Sequence, residues 1–186
     1  MNAFREAVWA DVPRDVLPEA FPARRAWLLG RLPARARVLD LGCGDGAFAA
    51  ELVAAGAEVI GIDVASAALT RARERVPEAD LRLVQEGEPL PVDNGWAQVA
   101  WAGEVLEHVV DVRGTLADLR LALAPGGVLL ATTPAHGPLL TRTARLDPRS
   151  DHLRFFTRRS LRAVLGDVFA HVTVDRRGGR LYACAS

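Results

Sequence analysis

The chain has 186 residues, half of them hydrophobic, and its 23 basic residues, all of them arginine, balance 23 acidic residues. This length predicts one globular domain with a full core, and the neutral balance disfavours nucleic acid or an anionic membrane surface as a partner. The two cysteines, Cys43 and Cys184, stand far apart and indicate neither a disulfide framework nor a zinc site.

The N-terminal segment MNAFREAVWADVPRD carries charges where a signal peptide would have its apolar core. No apolar run approaches the roughly 18 residues that a membrane-spanning helix needs. We therefore expect a cytoplasmic protein with no membrane span. The sequence leaves its oligomeric state, monomer or homodimer, open.

The chain begins with a helical preface, residues 1–33, and then alternates strands with helices. The predicted elements are a strand at 36–41, a helix at 46–55, a strand at 58–62, a helix at 66–75 capped by Ser66, strands at 81–84 and 97–102, a helix capped by Asp111 that includes Leu123 on its apolar face, and a strand at 127–132. Such alternation is typical of a parallel sheet.

An irregular segment, residues 134–156, follows the fifth strand, and long irregular loops are often functional. A helix starting from Thr157 then leads to two strands, AHVTVD and RLYACA, joined by a turn so short that they must be antiparallel. The predicted fold class is α/β: a Rossmann-like, seven-stranded, mostly parallel sheet with helices on both faces and an antiparallel C-terminal hairpin.

The motif VLDLGCGDG joins the first strand to the first helix through Gly42, Gly44 and Gly46. Glycines in such a turn can take positive φ, and a ligand can then lie against the backbone at the helix N-terminus. The spacing is G-x-G-x-G, whereas dinucleotide-binding proteins have G-x-G-x-x-G. The loop alone leaves the kind of cofactor undecided.

Acidic residues follow the carboxyl ends of the predicted strands, where ligands bind in such sheets: Asp40, Asp63, Glu86 and Glu104. An acid at the end of the second strand can accept both hydroxyls of a ribose, which suits NAD and S-adenosylmethionine alike. Acids that flank the loop favour the cationic S-adenosylmethionine over the pyrophosphate of NAD.

At residues 36–135 the sequence resembles the class I S-adenosylmethionine-dependent methyltransferases, in the motifs VLDLGCGDG, VIGIDVA, EGEPLPVDNGWAQVAWAGEVLEHVVD and LAPGGVLLATTP. The segment DHLRFFTRRSL is similar to members that methylate small molecules, including the ubiquinone-biosynthesis type. The resemblance implies methyl transfer from S-adenosyl-L-methionine to an oxygen, nitrogen or carbon of a small acceptor, with S-adenosyl-L-homocysteine as product.

The resemblance also implies roles for individual residues. Gly42, Cys43 and Gly44 would face the methionine part of the cofactor, with Asp40 near its ammonium; Asp63 would bind the ribose, Val64, Glu86 and the Gly87 amide the adenine, and Glu104 would lie beneath the sulfonium. Cys43 is small enough to fit between two glycines, which favours packing over a nucleophilic role.

The stretch EVLEHV would place Glu104 and His108 one turn apart if it is helical. His108 is then a candidate base or acceptor contact, or a structural histidine beside the cofactor. A divalent-metal site formed by Glu104, Glu107 and His108 is the weakest alternative, and we expect no metal. His152 has a similar standing as a catalytic candidate.

The acceptor walls are expected from residues 1–33, residues 134–156 and Tyr182. Four arginines of the later segment, Arg142, Arg145, Arg149 and Arg154, could hold an acidic acceptor or could simply be solvated. Two alternatives stay open: an NAD-dependent oxidoreductase, although a Y-x-x-x-K relay is impossible in a chain without lysine, and a non-catalytic cofactor-binding protein.

Overall fold

The computed structural model describes residues 2–14, 16–137 and 152–186. These form a seven-stranded sheet of order β3-β2-β1-β4-β5-β7-β6. The strands are β1 Arg37–Leu41, β2 Glu58–Asp63, β3 Asp80–Leu83, β4 Ala97–Gly103, β5 Leu123–Pro134, β6 Val172–Arg177 and β7 Arg180–Ala185. The first five are parallel, and β7 pairs antiparallel with both β5 and β6. The predicted fold class is confirmed.

Helices cover both faces of the sheet. They are α1 Asn2–Asp11, α2 Phe21–Leu29, α3 Ala47–Ala54, α4 Ser66–Arg75, α5 Val112–Ala122 and α6 Arg158–Gly166. Successive residues of β1 enter two different cores: Val38 packs with Phe48 of α3, whereas Leu39 packs with Leu116 of α5. This alternation follows from the two-residue period of a strand and explains why β1 has an apolar residue on each face.

The strand order reverses between β1 and β4, because β2 and β3 lie to one side of β1 while β4 and β5 lie to the other. A crevice opens at such a switch point, beyond the carboxyl ends of the strands. Two of the predicted acids, Asp40 and Asp63, lie in β1 and β2 at this end of the sheet.

The predicted cap of α4 is wrong. Ser66 is already the first helical residue, and the residue before it, Ala65, makes no side-chain cap. The missing acceptor comes from α1 instead: the Glu6 carboxylate accepts hydrogen bonds from Ser66 N at 2.6 Å and Ala67 N at 2.9 Å. These amides have no partner within their own helix, so the carboxylate from α1 satisfies their hydrogen bonds. Its negative charge also interacts favourably with the positive end of the helix dipole.

The residues predicted at the starts of the two later helices do cap them. Thr157 caps α6 through a reciprocal pair of hydrogen bonds with Ser160, and Asp111 accepts from Gly114 N at the start of α5. Leu123, expected on the apolar face of α5, is buried as the first residue of β5. Gly178 and Gly179, both at positive φ, form the turn of the hairpin. No helix within the described ranges is long and apolar enough to cross a membrane.

Candidate active site

The glycine loop uses its own amides to hold itself in place. Gly42 N and Cys43 N both donate to the Ile62 carbonyl, at 2.7 and 3.1 Å, and Gly46 N donates to the Cys43 carbonyl. Gly44 N donates to Asp63 Oδ2 at 2.8 Å. Three glycines at positive φ make this winding accessible. These four amides are therefore engaged within the protein and do not form a cradle for a pyrophosphate.

Asp63 joins the loop to the second strand. Its Oδ2 accepts from Gly44 N and its Oδ1 accepts from Ala65 N at 2.9 Å. The side chain is largely buried but still lines the cavity above the loop. Burial raises the pKa of this carboxyl, while the hydrogen bonds from the backbone amides act in the opposite direction. Each carboxylate oxygen has a second lone pair, so Asp63 can also accept from a ligand hydroxyl.

The other two acids of the loop have different surroundings. Asp40 is buried beneath the loop, is absent from the described lining of the cavity, and has no hydrogen-bond partner on Oδ2. Burial and the nearby Asp63 raise the pKa of Asp40 to about 8. Asp45 is paired with Arg75 of α4 at 2.9 Å. Asp45 therefore contributes less negative charge to the cavity than its position in the motif indicates.

Cys43 is enclosed by the same acids. Burial is the main cause that raises the pKa of its thiol, and Asp40 and Asp63 raise it further. A nucleophilic cysteine needs the opposite, a cationic surrounding that favours the thiolate. The packing role expected for Cys43 is consistent with these surroundings.

Helix α1 covers the glycine loop. The Trp9 ring lies so close to Gly44 that a Cβ added there would be 2.7 Å from Trp9 Cζ2. The helix is held on α4 by Glu6, and Arg71 of α4 donates to the carbonyl that follows α1, Val12 O, at 2.6 Å. The predicted helical preface thus forms one wall of the site.

A cavity of about 870 Å³ extends from the glycine loop to the start of α5. Val64, Glu86 and Gly87 line it on one side, and both Glu86 and Gly87 are exposed. Among the described residues, its charged lining comprises Glu19, Asp45, Asp63, Glu86, Glu88, Glu104, Glu107, Asp111 and Asp118, with Arg5 and Arg24 as the arginines. The lining is therefore strongly acidic, although the whole chain is neutral.

Tyr182, an expected wall residue, does not line this cavity. It lies in the core, with its ring centroid 5.2 Å from that of Trp27. The reason is the register of β7, which points Tyr182 toward the face of the sheet that α2 covers.

Two buried arginines and the half-buried Glu104 form a cluster at the floor of the cavity. Arg24 Nε is 4.0 Å from Glu104 Oε1, and Arg180 Nε is 3.3 Å from Glu104 Oε2. Arg24 also donates to Thr132 Oγ1 at 3.0 Å and has its guanidinium over the Phe48 ring. Glu104 Oε1 is buried without a hydrogen-bond partner among the described residues. The arginines fix Glu104 at the floor of the cavity.

The segment EVLEHV is a turn, so the helical spacing considered for it is wrong. Glu104 has φ 60° in the left-handed region, and His108 N donates to Val105 O, three residues back. Because the backbone is left-handed at Glu104, directly after β4, the chain turns there and does not continue into a helix. Glu107 and His108 nevertheless both line the cavity.

Histidines gather at the side of the cavity where Glu107 lies. The His108 and His152 ring centroids are 4.7 Å apart, and His136 lies 6.4 Å from His152. A carboxylate oxygen of Glu107 and one ring nitrogen each of His108 and His152 all lie within 4.8 Å of one another. The two predicted catalytic residues are thus brought together, whereas His136 was not foreseen. Burial lowers the pKa of His136.

Arg154 has a different position from the one considered for it. Its guanidinium donates to the carbonyls of Val109 and Val110, the residues just before α5. It therefore supports the backbone beside the cavity and is not directed at an acceptor. Arg142, Arg145 and Arg149 lie outside the described residues.

Arg24 is the main site residue that sequence reasoning missed. The sequence does contain a pattern that indicates it. The buried face of α2 consists, at helical spacing, of Phe21, Arg24, Trp27 and Leu28, and an apolar face is an unusual place for a charge. A buried arginine normally has an acidic partner. The prediction could therefore have paired it with one of the acids at the strand ends.

Comparisons with known proteins agree with this architecture. Residues 4–168 match the family model described as "Methyltransferase domain". A ubiquinone biosynthesis O-methyltransferase of Xanthomonas axonopodis is 35% identical over 156 residues, which cover 77% of this chain and 65% of that protein. A trans-aconitate 2-methyltransferase of Variovorax paradoxus is 39% identical over 61% of this chain and 44% of that protein.

The chain spans less than two thirds of the length of these curated relatives. Among solved structures, a complex described as DhpI-SAM-HEP has a TM-score of 0.80 at 19% identity, covering 99% of this chain and 94% of that one. At this identity the likeness concerns the fold. Family model, fold and ordered motifs together place the chain among the class I S-adenosylmethionine-dependent methyltransferases.

Proposed function

We propose that this chain binds S-adenosyl-L-methionine in the cavity above the glycine loop and transfers its methyl group to a small molecule. The main observation is the combination of an acidic cavity with loop amides that are already bonded within the protein. A cationic cofactor fits such surroundings, whereas the pyrophosphate of NAD needs free amides. The same fit disfavours an NAD-dependent oxidoreductase.

The residues that would hold the cofactor follow the order of the strands. Asp63 would accept from the ribose hydroxyls, and Val64, Glu86 and the Gly87 amide would contact the adenine. Gly42, Cys43 and Gly44 would contact the methionine part. Asp40 would lie beneath the loop near the ammonium, whose positive charge would favour the ionised form of this carboxyl. Glu104, held by Arg24 and Arg180, would lie nearest the sulfonium. When bound, the cofactor supplies a methyl group on an electron-poor sulfur.

On the acceptor side, the chain would position the nucleophile and remove its proton. His108 and His152 line the cavity and are the candidate bases, because an imidazole changes its protonation near neutral pH. Residues 134–156 would contribute to the acceptor wall, within a single domain that covers residues 1–186. The products would be the methylated acceptor and S-adenosyl-L-homocysteine. We further propose that the protein acts in the cytoplasm, as a monomer or a homodimer.

Two measurements test this function. Calorimetry is expected to show binding of S-adenosylmethionine and no binding of NAD at the same concentration. Incubation with methyl-labelled S-adenosylmethionine and a metabolite extract of the source cell is expected to label a small molecule. Cofactor binding without any labelled product would favour a non-catalytic cofactor-binding protein instead.

We expect His108→Ala to lower turnover by about 100-fold while changing cofactor affinity less than twofold, since a general base typically contributes at this level. The check is single-turnover methyl transfer together with calorimetry of the cofactor. His171→Ala is the matched control, because His171 is exposed at the start of β6. Equal losses of turnover and affinity would identify His108 as a structural residue.

A further inference from the structure

The Glu107 carboxyl group is buried beside His108 and His152, on the proposed acceptor side of the cavity. Its exposed fraction is 1%, and neither oxygen has a hydrogen-bond partner of ordinary geometry among the described residues. Burial and the neighbouring Glu104 raise the pKa of Glu107 to about 8, although the nearby Thr133 hydroxyl favours the charged form. A buried carboxyl without hydrogen bonds is costly, and a donor in the cavity would remove that cost.

The groups around Glu107 restrict the charge of such a donor. His108 and His152 each place a ring nitrogen within 4.8 Å of a Glu107 oxygen. Arg24 donates to Thr132 and lies beside Glu104, and its charge also acts on Glu107. Arg154 donates to the backbone carbonyls of Val109 and Val110. Both arginines thus make hydrogen bonds to other groups, and neither makes one to Glu107. A second carboxylate here would lie beside Glu107 and close to Glu104.

We propose that the acceptor is a small amine whose nitrogen is held by the Glu107 carboxylate. This inference rests on the proposed methyl transfer and adds its substrate class. The amine enters as an ammonium, and its positive charge favours the ionised form of Glu107 over the protonated form that the raised pKa favours in the empty cavity. Glu107 then accepts a hydrogen bond from the ammonium, and the other acids of the lining supply a favourable field.

The chemical step fits this assignment. An imidazole of His108 or His152 takes one proton from the ammonium, and the freed lone pair of the nitrogen forms the new bond to the methyl carbon. The carbon–sulfur bond breaks with its electron pair remaining on sulfur. Once the amine is neutral, positive charge moves from sulfur to nitrogen, directly beside Glu107, and a carboxylate at that point stabilises the charge that develops on nitrogen in the methyl-transfer step.

An oxygen acceptor would gain less from the same residues. A phenol or a carboxylic acid reacts as an anion, which repels the ionised form of Glu107 and so forms no ion pair with it. Glu107 therefore discriminates between acceptor classes by charge, independently of the shape of the cavity.

The test compares acceptors of equal size: benzylamine, phenol and benzoate, with shorter and longer homologues of each. Binding is measured by calorimetry on the chain saturated with S-adenosylhomocysteine, and methyl transfer is measured separately with labelled S-adenosylmethionine. Within at least one size class we expect the amine to bind about tenfold more tightly than the acid or the phenol, as a charge-assisted hydrogen bond allows.

Glu107→Gln is expected to remove this preference, since it keeps the shape of the side chain but not its charge. Glu78→Gln, which alters an exposed acid of the loop after α4, is expected to retain it. If the Gln variant does not fold, as judged by circular dichroism, the wild-type competition between amine and acid decides alone. Glu107→Asp is expected to keep part of the preference.

Three outcomes would overturn the inference: tighter binding of the acid or phenol in every size class, an amine preference that survives in Glu107→Gln, or amine binding that appears only with added Mg²⁺ or Zn²⁺. The same calorimetry separates this inference from the proposed function. Loss of the amine preference with intact cofactor binding removes only the substrate class, whereas absence of cofactor binding removes the methyl-transfer proposal as well.

Discussion

Asp63→Ala is expected to weaken S-adenosylmethionine binding by about 1 to 3 kcal/mol, the contribution of charge-assisted hydrogen bonds to a ligand. The structure adds a second reason for a large effect. Gly44 N and Ala65 N both lose their acceptor, so the glycine loop and the residue before α4 lose a shared anchor. Titration calorimetry measures the affinity, and thermal unfolding shows whether the fold is retained.

Two variants help to interpret this result. Asp63→Asn keeps one acceptor oxygen for the backbone but removes the charge, so its affinity is expected to lie between those of the wild type and Asp63→Ala. Asp175→Ala removes an exposed acid of β6, far from the loop, and is expected to leave affinity unchanged. An unchanged affinity in Asp63→Ala would exclude the ribose assignment.

Arg24→Ala is expected to reduce the free energy of unfolding by about 3 kcal/mol, near the lower end of what removal of one partner of a buried ion pair costs. The substitution leaves Glu104 with Arg180 as its nearby cation, deprives Thr132 of a donor, and opens space beside Phe48. Because Glu104 keeps Arg180, the loss should stay below that of a fully isolated buried charge. Urea unfolding measures it directly.

Arg25→Ala is the matched control for this experiment. Arg25 is the next residue of the same helix and pairs with Glu51 at the surface, where an ion pair contributes less than about 1 kcal/mol. Similar losses in the two variants would mean that the buried contacts of Arg24 contribute no more than a surface ion pair. A large loss confined to Arg24 would support its role as the support of Glu104.

The fold was predictable because its signals are local. The glycines of VLDLGCGDG, the cap at Thr157 and the Gly178-Gly179 turn each lie within a few residues of the element that they start or end. The order of the motifs then sufficed to identify the parallel sheet. The cap predicted at Ser66 was wrong because serine is a common capping residue, so its position at the start of the predicted helix suggested that role. The group that accepts from the helix amides is the carboxylate of Glu6, sixty residues earlier.

The site was predictable where it follows strand ends and unpredictable where distant segments meet. Asp63 and Glu104 follow from the positions of β2 and β4. The distance between His136 and His152 depends on how the chain returns to the sheet. The hydrogen bonds of Arg154 to the Val109 and Val110 carbonyls depend on the conformation of its long side chain. Neither leaves a pattern in the spacing of residues along the sequence.

The contact between Trp9 and Gly44 links two positions that are distant in the chain. A side chain at position 44 would need both a left-handed backbone and the space that the indole ring occupies. The two sites should therefore vary together among homologues: a smaller residue at position 9 is a precondition for anything larger than glycine at position 44. Anyone who redesigns this first helix, for example to admit a bulkier cofactor analogue, changes the permitted composition of the glycine loop at the same time.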